Sequence, residues 1–257
     1  TMRAMAEDHH LPKDARFETR AIHAGQAPDP VHGAVMPPVY LTSTSAQDAP
    51  AVMKSEYDYS SGGTPTRTAL QENLASLESG SWALAIESGL AATNALMDRL
   101  SPGDHVVAGN DLYGGTYRIF TKVFERFGIE YSFVDTSKPE NIAAAVRPEP
   151  KYVYIETPSH PLLRLTDIAA AATIAHDEAL PHGGRAELVV DNTFATPYLQ
   201  RPLELGADIV LHSLSKYLGG HSDLIGGALV GRGDKAGEEL AFLQNAVGGC
   251  LAPLDCF

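Results

Sequence analysis

The sequence predicts an α/β domain in three layers, with a mostly parallel seven-stranded sheet between helices. Two observations predict it. Short apolar runs alternate with helical patterns at spacings that suit right-handed crossovers. The runs are apolar along their whole length rather than at alternate positions, as strands covered on both faces require. The 257 residues are 44% hydrophobic, enough for a sizeable core.

Residues 1–60 show little periodicity, and Gly25, Pro28, Pro30, Gly33, Pro37 and Pro38 punctuate them. The opening TMRAMAEDHHLPK has no apolar signal core and reads as a loose tail. Tyr40, Tyr57 and Tyr59 are costly to leave in water, so residues 1–60 are expected to form an arm laid on a neighbouring subunit, with 61–257 as the globular domain. From Thr66, TRTALQENLASLES reads as a helix with Leu70, Leu74 and Leu77 on one face and Thr66 or Thr68 as its cap. Ser81 to Ile86 reads as a buried strand. A helix follows from Gly89 to Leu100, stopped by Ser101-Pro102-Gly103. His105 to Ala108 is a strand, Tyr117 to Phe127 a helix, Ile129 to Val134 and Tyr152 to Glu156 strands, and Thr166 to Asp177 a helix. Leu188 to Val190 is a strand, Pro202 to Leu205 a helical turn, and Ile209 to Leu211 and Gly227 to Val230 the last strands. NAVGGCLAPLDCF stops without a closing element, so the sequence is expected to be a piece of a longer enzyme.

Charge and composition narrow the classes. Lysine and arginine number 19 against 32 acidic residues, a formal charge of -13, with no basic patch for nucleic acid. Apolar stretches are far shorter than a membrane span. The only cysteines, Cys250 and Cys256, make no disulfide framework, and the cytoplasm is the expected compartment. The spacings of Asp104, His105, His212, His221 and Asp223 match no common metal-ligand pattern, so no metal is expected.

The chemistry centres on Lys216. One apolar run ends at Asp191, and a second ends at His212 and Ser213 shortly before Lys216, which places an acid and an amine at the ends of two buried strands. A cofactor that needs an imine at its aldehyde and a carboxylate at its ring nitrogen fits them: pyridoxal phosphate. Ser88, Gly89 and Leu90 open a helix directly after a strand, where free N–H groups and the helix dipole favour an anion. Ser213 and Ser215 could add hydroxyl donors. Tyr113, on a glycine-rich loop after a strand, could lie flat against a cofactor ring. Each residue has a plainer reading: a surface lysine, a turn-capping aspartate helped by Asn192 and Thr193, ordinary small residues before a helix, and a core-edge tyrosine.

The ordered blocks AIHAGQ, YDYSSGGTPTR, SGLAA, DLYGGTYR, ETPSHPLL, VVDNTF and HSLSKYLGGHSD, from about Phe17 to Phe257, resemble the γ-subfamily of pyridoxal-phosphate enzymes of cysteine and methionine metabolism. That group includes cystathionine γ-lyase, γ-synthase and β-lyase and methionine γ-lyase. The resemblance implies the fold type I architecture of pyridoxal-phosphate transferases, with 61–257 as the cofactor-binding large domain and a small C-terminal domain beyond the present sequence. It implies that Lys216 forms the internal imine, Asp191 pairs with the pyridine nitrogen, and Tyr113 stacks on the ring and helps activate the substrate amine. Ser88, Gly89, Leu90, Ser213 and Ser215 would hold the phosphate, and Tyr59 would reach the phosphate of a neighbouring subunit in a homodimer or homotetramer with shared active sites. The substrate would be a small amino acid. The expected reaction is α,γ-elimination of cystathionine to cysteine, 2-oxobutanoate and ammonia. The alternatives are γ-replacement, β-elimination, or a divergent homologue that binds the cofactor weakly and has a non-catalytic role.

Four positions depart from the family pattern. Ser61 stands where a phosphate-binding arginine is expected, removing a bidentate clamp. Thr64 replaces an asparagine. Glu87 stands where a small residue is usual; a carboxylate aimed at a phosphate would repel it, but it could instead point away or pair with a cation. His160 replaces an asparagine that contacts the ring, and it can keep one hydrogen bond but not the same geometry. Gly115 stands where methionine γ-lyases carry cysteine, which counts against that member.

Overall fold

The computed structural model describes residues 11–12, 14–147, 150–177 and 185–257; most of the stretch read as a loose tail lies outside the described residues. The arm is not featureless. It holds helix α1 (Phe17–His23) and a small antiparallel hairpin of β1 (Gln47–Ala49) and β2 (Val52–Met53). None of α1 is buried, and polar links tie it to the next helix, α2 (Pro65–Glu78). Asn73 Nδ2 donates to the Arg20 and Ala24 carbonyls, each at 3.1 Å. Val31, Val35, Met36 and Leu41 remain exposed.

Helix α2 begins earlier than its apolar stripe shows. Thr64, not Thr66 or Thr68, is its cap: the Thr64 hydroxyl accepts the Arg67 N–H at 3.1 Å, and Pro65 supplies the first helical residue. Strand β3 (Trp82–Ile86) and helix α3 (Gly89–Met97) follow, then β4 (His105–Gly109) and α4 (Gly114–Ile119). The predicted Tyr117–Phe127 helix is three pieces. Helix α4 starts at Gly114, widens to a π turn over Phe120–Phe124, and ends in a 3-10 turn over Glu125–Phe127 closed by Gly128 in the left-handed region. Next come β5 (Glu130–Val134), α5 (Pro139–Ala145), β6 (Pro150–Glu156), α6 (Ile168–Ala175), β7 (Glu187–Asp191) and the short α7 (Thr196–Leu199). Strands β8 (Ile209–Ser213) and β9 (Gly227–Gly231) complete the sheet, followed by α8 (Asp234–Val247) and the short α9 (Pro253–Cys256).

The seven strands of the main sheet run in the order β3-β9-β8-β7-β6-β4-β5. All pairings are parallel except those of β9, which runs against both β3 and β8. Because side chains alternate along a strand, each central strand feeds two cores. Val107, Val153, Val190 and Val210 pack toward α2, α5 and α6. Val106, Tyr154, Val189 and Leu211 pack toward α3, α8 and the π turn. Leu188, Val189 and Val190 are fully buried, each worth about 1.5–3 kcal/mol. Among the described residues no helix is long and apolar enough to cross a membrane.

Candidate active site

In an open parallel sheet, backbone and short side chains converge beyond the carboxyl ends of the strands. Here the ends of β6, β7 and β8, the turn after β3 and the loop after β4 enclose a cavity of about 310 Å³, within the range of small-ligand sites. Of the residues singled out from the sequence, Lys216, Asp191, Ser88, Gly89, Leu90, Tyr113, His160, Ser213 and Ser215 line it. Tyr59 and Ser61 do not. Tyr59 is exposed, bridging Thr44, and the Ser61 hydroxyl donates to Asn245 Oδ1 at 2.7 Å.

Asp191 ends β7 and is buried beneath the cavity. Its Oδ1 accepts the Thr193 hydroxyl at 2.6 Å and the Thr193 N–H at 3.1 Å. Burial raises the carboxyl above its usual range, while the two Thr193 donors pull it back. Thr193 is held in turn, since its hydroxyl accepts the Ser213 N–H at 2.9 Å. Beside Asp191 stands Glu156, its register partner on β6. Lys216 follows β8 on a turn closed by its own N–H to the Ser213 carbonyl at 3.2 Å. It makes no ion pair among the described residues, so its amine faces the cavity uncommitted.

The opposite wall is the start of α3. Ser88 caps it, the hydroxyl accepting the Ala91 N–H at 3.1 Å. The helix's own bonds begin with Ala91 and Ala92, which leaves the Gly89 and Leu90 N–H groups for a ligand. Strand β9 is pressed against this turn: a Cβ on Gly227 would lie 2.2 Å from the Ser88 carbonyl oxygen, so only glycine fits. Glu87 does not repel an anion here. Its carboxylate points to the other side, where a Cβ on Gly249 would meet it at 2.5 Å. Tyr113 and Phe194 flank His160, their ring centroids 6.0 and 5.6 Å from the imidazole.

Glu156 and Phe194 are lining residues the sequence reading does not pick out, and Thr193, named there only in a plainer reading of Asp191, lines it too. Glu156 carries the same signal as Asp191, a carboxylate closing a buried strand. Two buried carboxyls side by side call for a cation, and the free N–H groups across the cavity call for an anion. A flat heteroaromatic cation with an anionic tail, beside an available amine, satisfies this donor set.

Residues 18–257 match the family described as Cys/Met metabolism PLP-dependent enzyme. The chain is 49% identical over 244 residues to a probable cystathionine gamma-synthase of Herpetosiphon aurantiacus, covering 95% of this chain and 74% of that protein. It is 50% identical over 238 residues to cystathionine gamma-lyase of Bacillus subtilis, covering 93% of this chain and 61% of that one. The crystal structure of metB from Corynebacterium glutamicum superposes with a TM-score of 0.92 at 45% identity, over 96% of this chain and 63% of that one. Relatives named cystathionine beta-lyase match at 47–48% identity. The chain thus spans about three fifths of the length of most of these relatives.

Proposed function

Because the chain belongs to the Cys/Met metabolism PLP-dependent enzymes, whose cofactor is pyridoxal phosphate, we propose that its cavity catalyses α,γ-elimination of cystathionine. Water enters, and cysteine, 2-oxobutanoate and ammonia leave. The observation that carries the cofactor assignment to particular residues is the convergence of Lys216, Asp191 and the start of α3 on one cavity. Asp191 would hold the ring nitrogen, and Gly89, Leu90, Ser88, Ser213 and Ser215 would surround the phosphate. Bound pyridoxal phosphate supplies an electron sink for the charge left when a proton leaves the substrate's α-carbon. Lys216 first anchors the cofactor. The Lys216 amine would also be the base that takes the substrate's α-proton and then moves a β-proton, so that sulfur on the γ-carbon can depart. Tyr113, at the cavity mouth, receives the substrate amine and helps to deprotonate it. Thr193 favours the ionised form of Asp191 through two hydrogen bonds.

The γ-lyase and γ-synthase relatives match about equally well, which favours γ-replacement as the second reading. The same Lys216 proton transfers serve it, a thiol adding where elimination would finish. Purified protein given cystathionine is expected to release cysteine and 2-oxobutanoate. Dominant homocysteine indicates β-elimination, and cystathionine formed from an activated homoserine and cysteine indicates replacement. Either outcome sinks the γ-lyase reading.

The arm, with Tyr59 and Ser61 away from the cavity of their own subunit, fits a homo-oligomer in which these residues serve a neighbour's phosphate. In that arrangement Ser61→Arg restores a charged clamp and is expected to tighten pyridoxal phosphate roughly 10-fold. An absorbance titration measures it, and unchanged affinity removes Ser61 from the phosphate site.

A further inference from the structure

Glu156 lines the cavity and has no part in the steps above. It ends β6 as the register partner of Asp191 on the neighbouring parallel strand, at a strand spacing of about 4.8 Å. By the alternation of side chains, Glu156 shares a face with Tyr152 and Tyr154, and Asp191 with Val189, all on the α3 side of the sheet. Both carboxyls therefore stand on one side of the sheet, 7% and 8% exposed. Glu156 Oε2 accepts the Tyr113 N–H at 2.7 Å. The Tyr113 ring lies over Gly115, where a Cβ would sit 2.4 Å from Tyr113 Cε1.

Two carboxyls this close and this buried do not both ionise readily. Asp191 has the better claim to the charge, because Thr193 donates to it twice from close range. Glu156 instead accepts backbone N–H groups, from Tyr113 and His160. Burial, then the Asp191 charge, pushes the Glu156 carboxyl up to about 8. The other titratable groups around it are Tyr113, His160 and Lys216 across the cavity, Asp111 in the loop after β4, and Tyr154 on its own strand.

We propose that Glu156 is a positioning residue with two tasks: its carboxyl holds the Tyr113 backbone in place, and it carries a proton beside ionised Asp191 until a cationic ring settles there and that proton leaves to solvent. The role depends on the cofactor and is indifferent to which reaction follows. It follows that filling the site removes a negative repulsion for which the empty site must keep a proton.

Three proteins test it: wild type, Glu156→Gln, which keeps an acceptor for Tyr113 without an ionisable group, and Glu156→Ala, which keeps neither. At pH 7, with an indicator dye in weak buffer, saturation with pyridoxal phosphate is expected to release more protons per site from wild type than from Glu156→Gln, by up to about one. The Tyr113 amide is expected to exchange hydrogen at similar rates in wild type and Glu156→Gln, and at least about 10-fold faster in Glu156→Ala. A cofactor-free comparison adds a sign. A carboxyl raised in the folded state favours folding at low pH, and that contribution fades as pH climbs from the unfolded value toward about 8. The melting temperature of cofactor-free Glu156→Gln is therefore expected to gain on wild type between pH 5 and pH 8. Equal proton release from wild type and the Gln variant, or a melting difference that is flat with pH, overturns the proton-bearing role even if Glu156→Ala does not fold. Equal Tyr113 exchange in all three overturns the positioning role. Failure of every protein, wild type included, to take up pyridoxal phosphate counts against the cofactor site instead, and leaves the melting comparison to decide on Glu156.

Discussion

Lys216→Ala is expected to lower kcat by at least about 10³-fold while leaving the protein folded. The side chain is exposed at the cavity and makes no ion pair among the described residues, so its removal leaves no buried partner unsatisfied. Its backbone bonds, to the Ser213 carbonyl and from the Gly220 N–H, do not depend on the side chain. Surface changes of this kind alter stability by about 0.5 kcal/mol or less. In the proposed mechanism the loss is chemical: one residue would supply both the anchor for the cofactor and the base for the α- and β-protons. Steady-state assay beside thermal melting checks both halves. A variant that melts like wild type and keeps more than about a tenth of its activity removes Lys216 from the mechanism.

Glu78→Leu is expected to have the largest effect on stability, about 3–5 kcal/mol. Glu78 closes α2 and is fully buried, as is His212 on β8. Glu78 Oε1 pairs with His212 Nε2 at 2.6 Å and accepts Asn192 Nδ2 at 2.8 Å. Gln200 Nε2 continues the network to Asn192 Oδ1 at 2.9 Å and to the Thr157 carbonyl at 3.0 Å. By strand alternation His212 and Asn192 lie on the face opposite Asp191, so the network braces from behind the turn that aims Thr193 at the carboxylate. Leucine strands the imidazole without its acceptor and leaves the Asn192 amide with the Gln200 carbonyl at 2.9 Å in place of two acceptors. Urea unfolding measures the cost. Glu78→Gln, which keeps an acceptor, is expected to lose less, and equal losses in the two variants contradict the hydrogen-bonding account.

Much of this site is legible in the sequence because its chemistry interrupts strong local patterns. Asp191 stands out because it closes a run that is otherwise wholly apolar, Lys216 because it follows a second such run by a few small residues, and Ser88-Gly89 because a strand gives way to a helix there. Glu156 breaks its run in the same way, yet its meaning depends on which strand lies next to it. The pairing of β6 with β7 places it beside Asp191, and pairing is set by long-range packing rather than by local pattern. The direction of β9 escapes for a similar reason: Gly227 to Val230 reads the same in either orientation, and its antiparallel pairings, with Gly227 set against Ser88, show which end meets the site. Helix α8 is missed because few of its residues are buried, Gly237, Leu240 and Gln244, which leaves a weak stripe. Which of the open readings of Glu87 holds turns on a side-chain direction that no spacing encodes: it points away from the phosphate seat.

The central claim is that the Lys216 amine is the point at which pyridoxal phosphate is held. Protein saturated with the cofactor, reduced with borohydride, digested and mapped by mass spectrometry tests this most directly. The account predicts a pyridoxyl-phosphate adduct on the peptide carrying Lys216, absent from Lys216→Ala treated in the same way. An adduct on another lysine, or none on saturated wild-type protein, would contradict it.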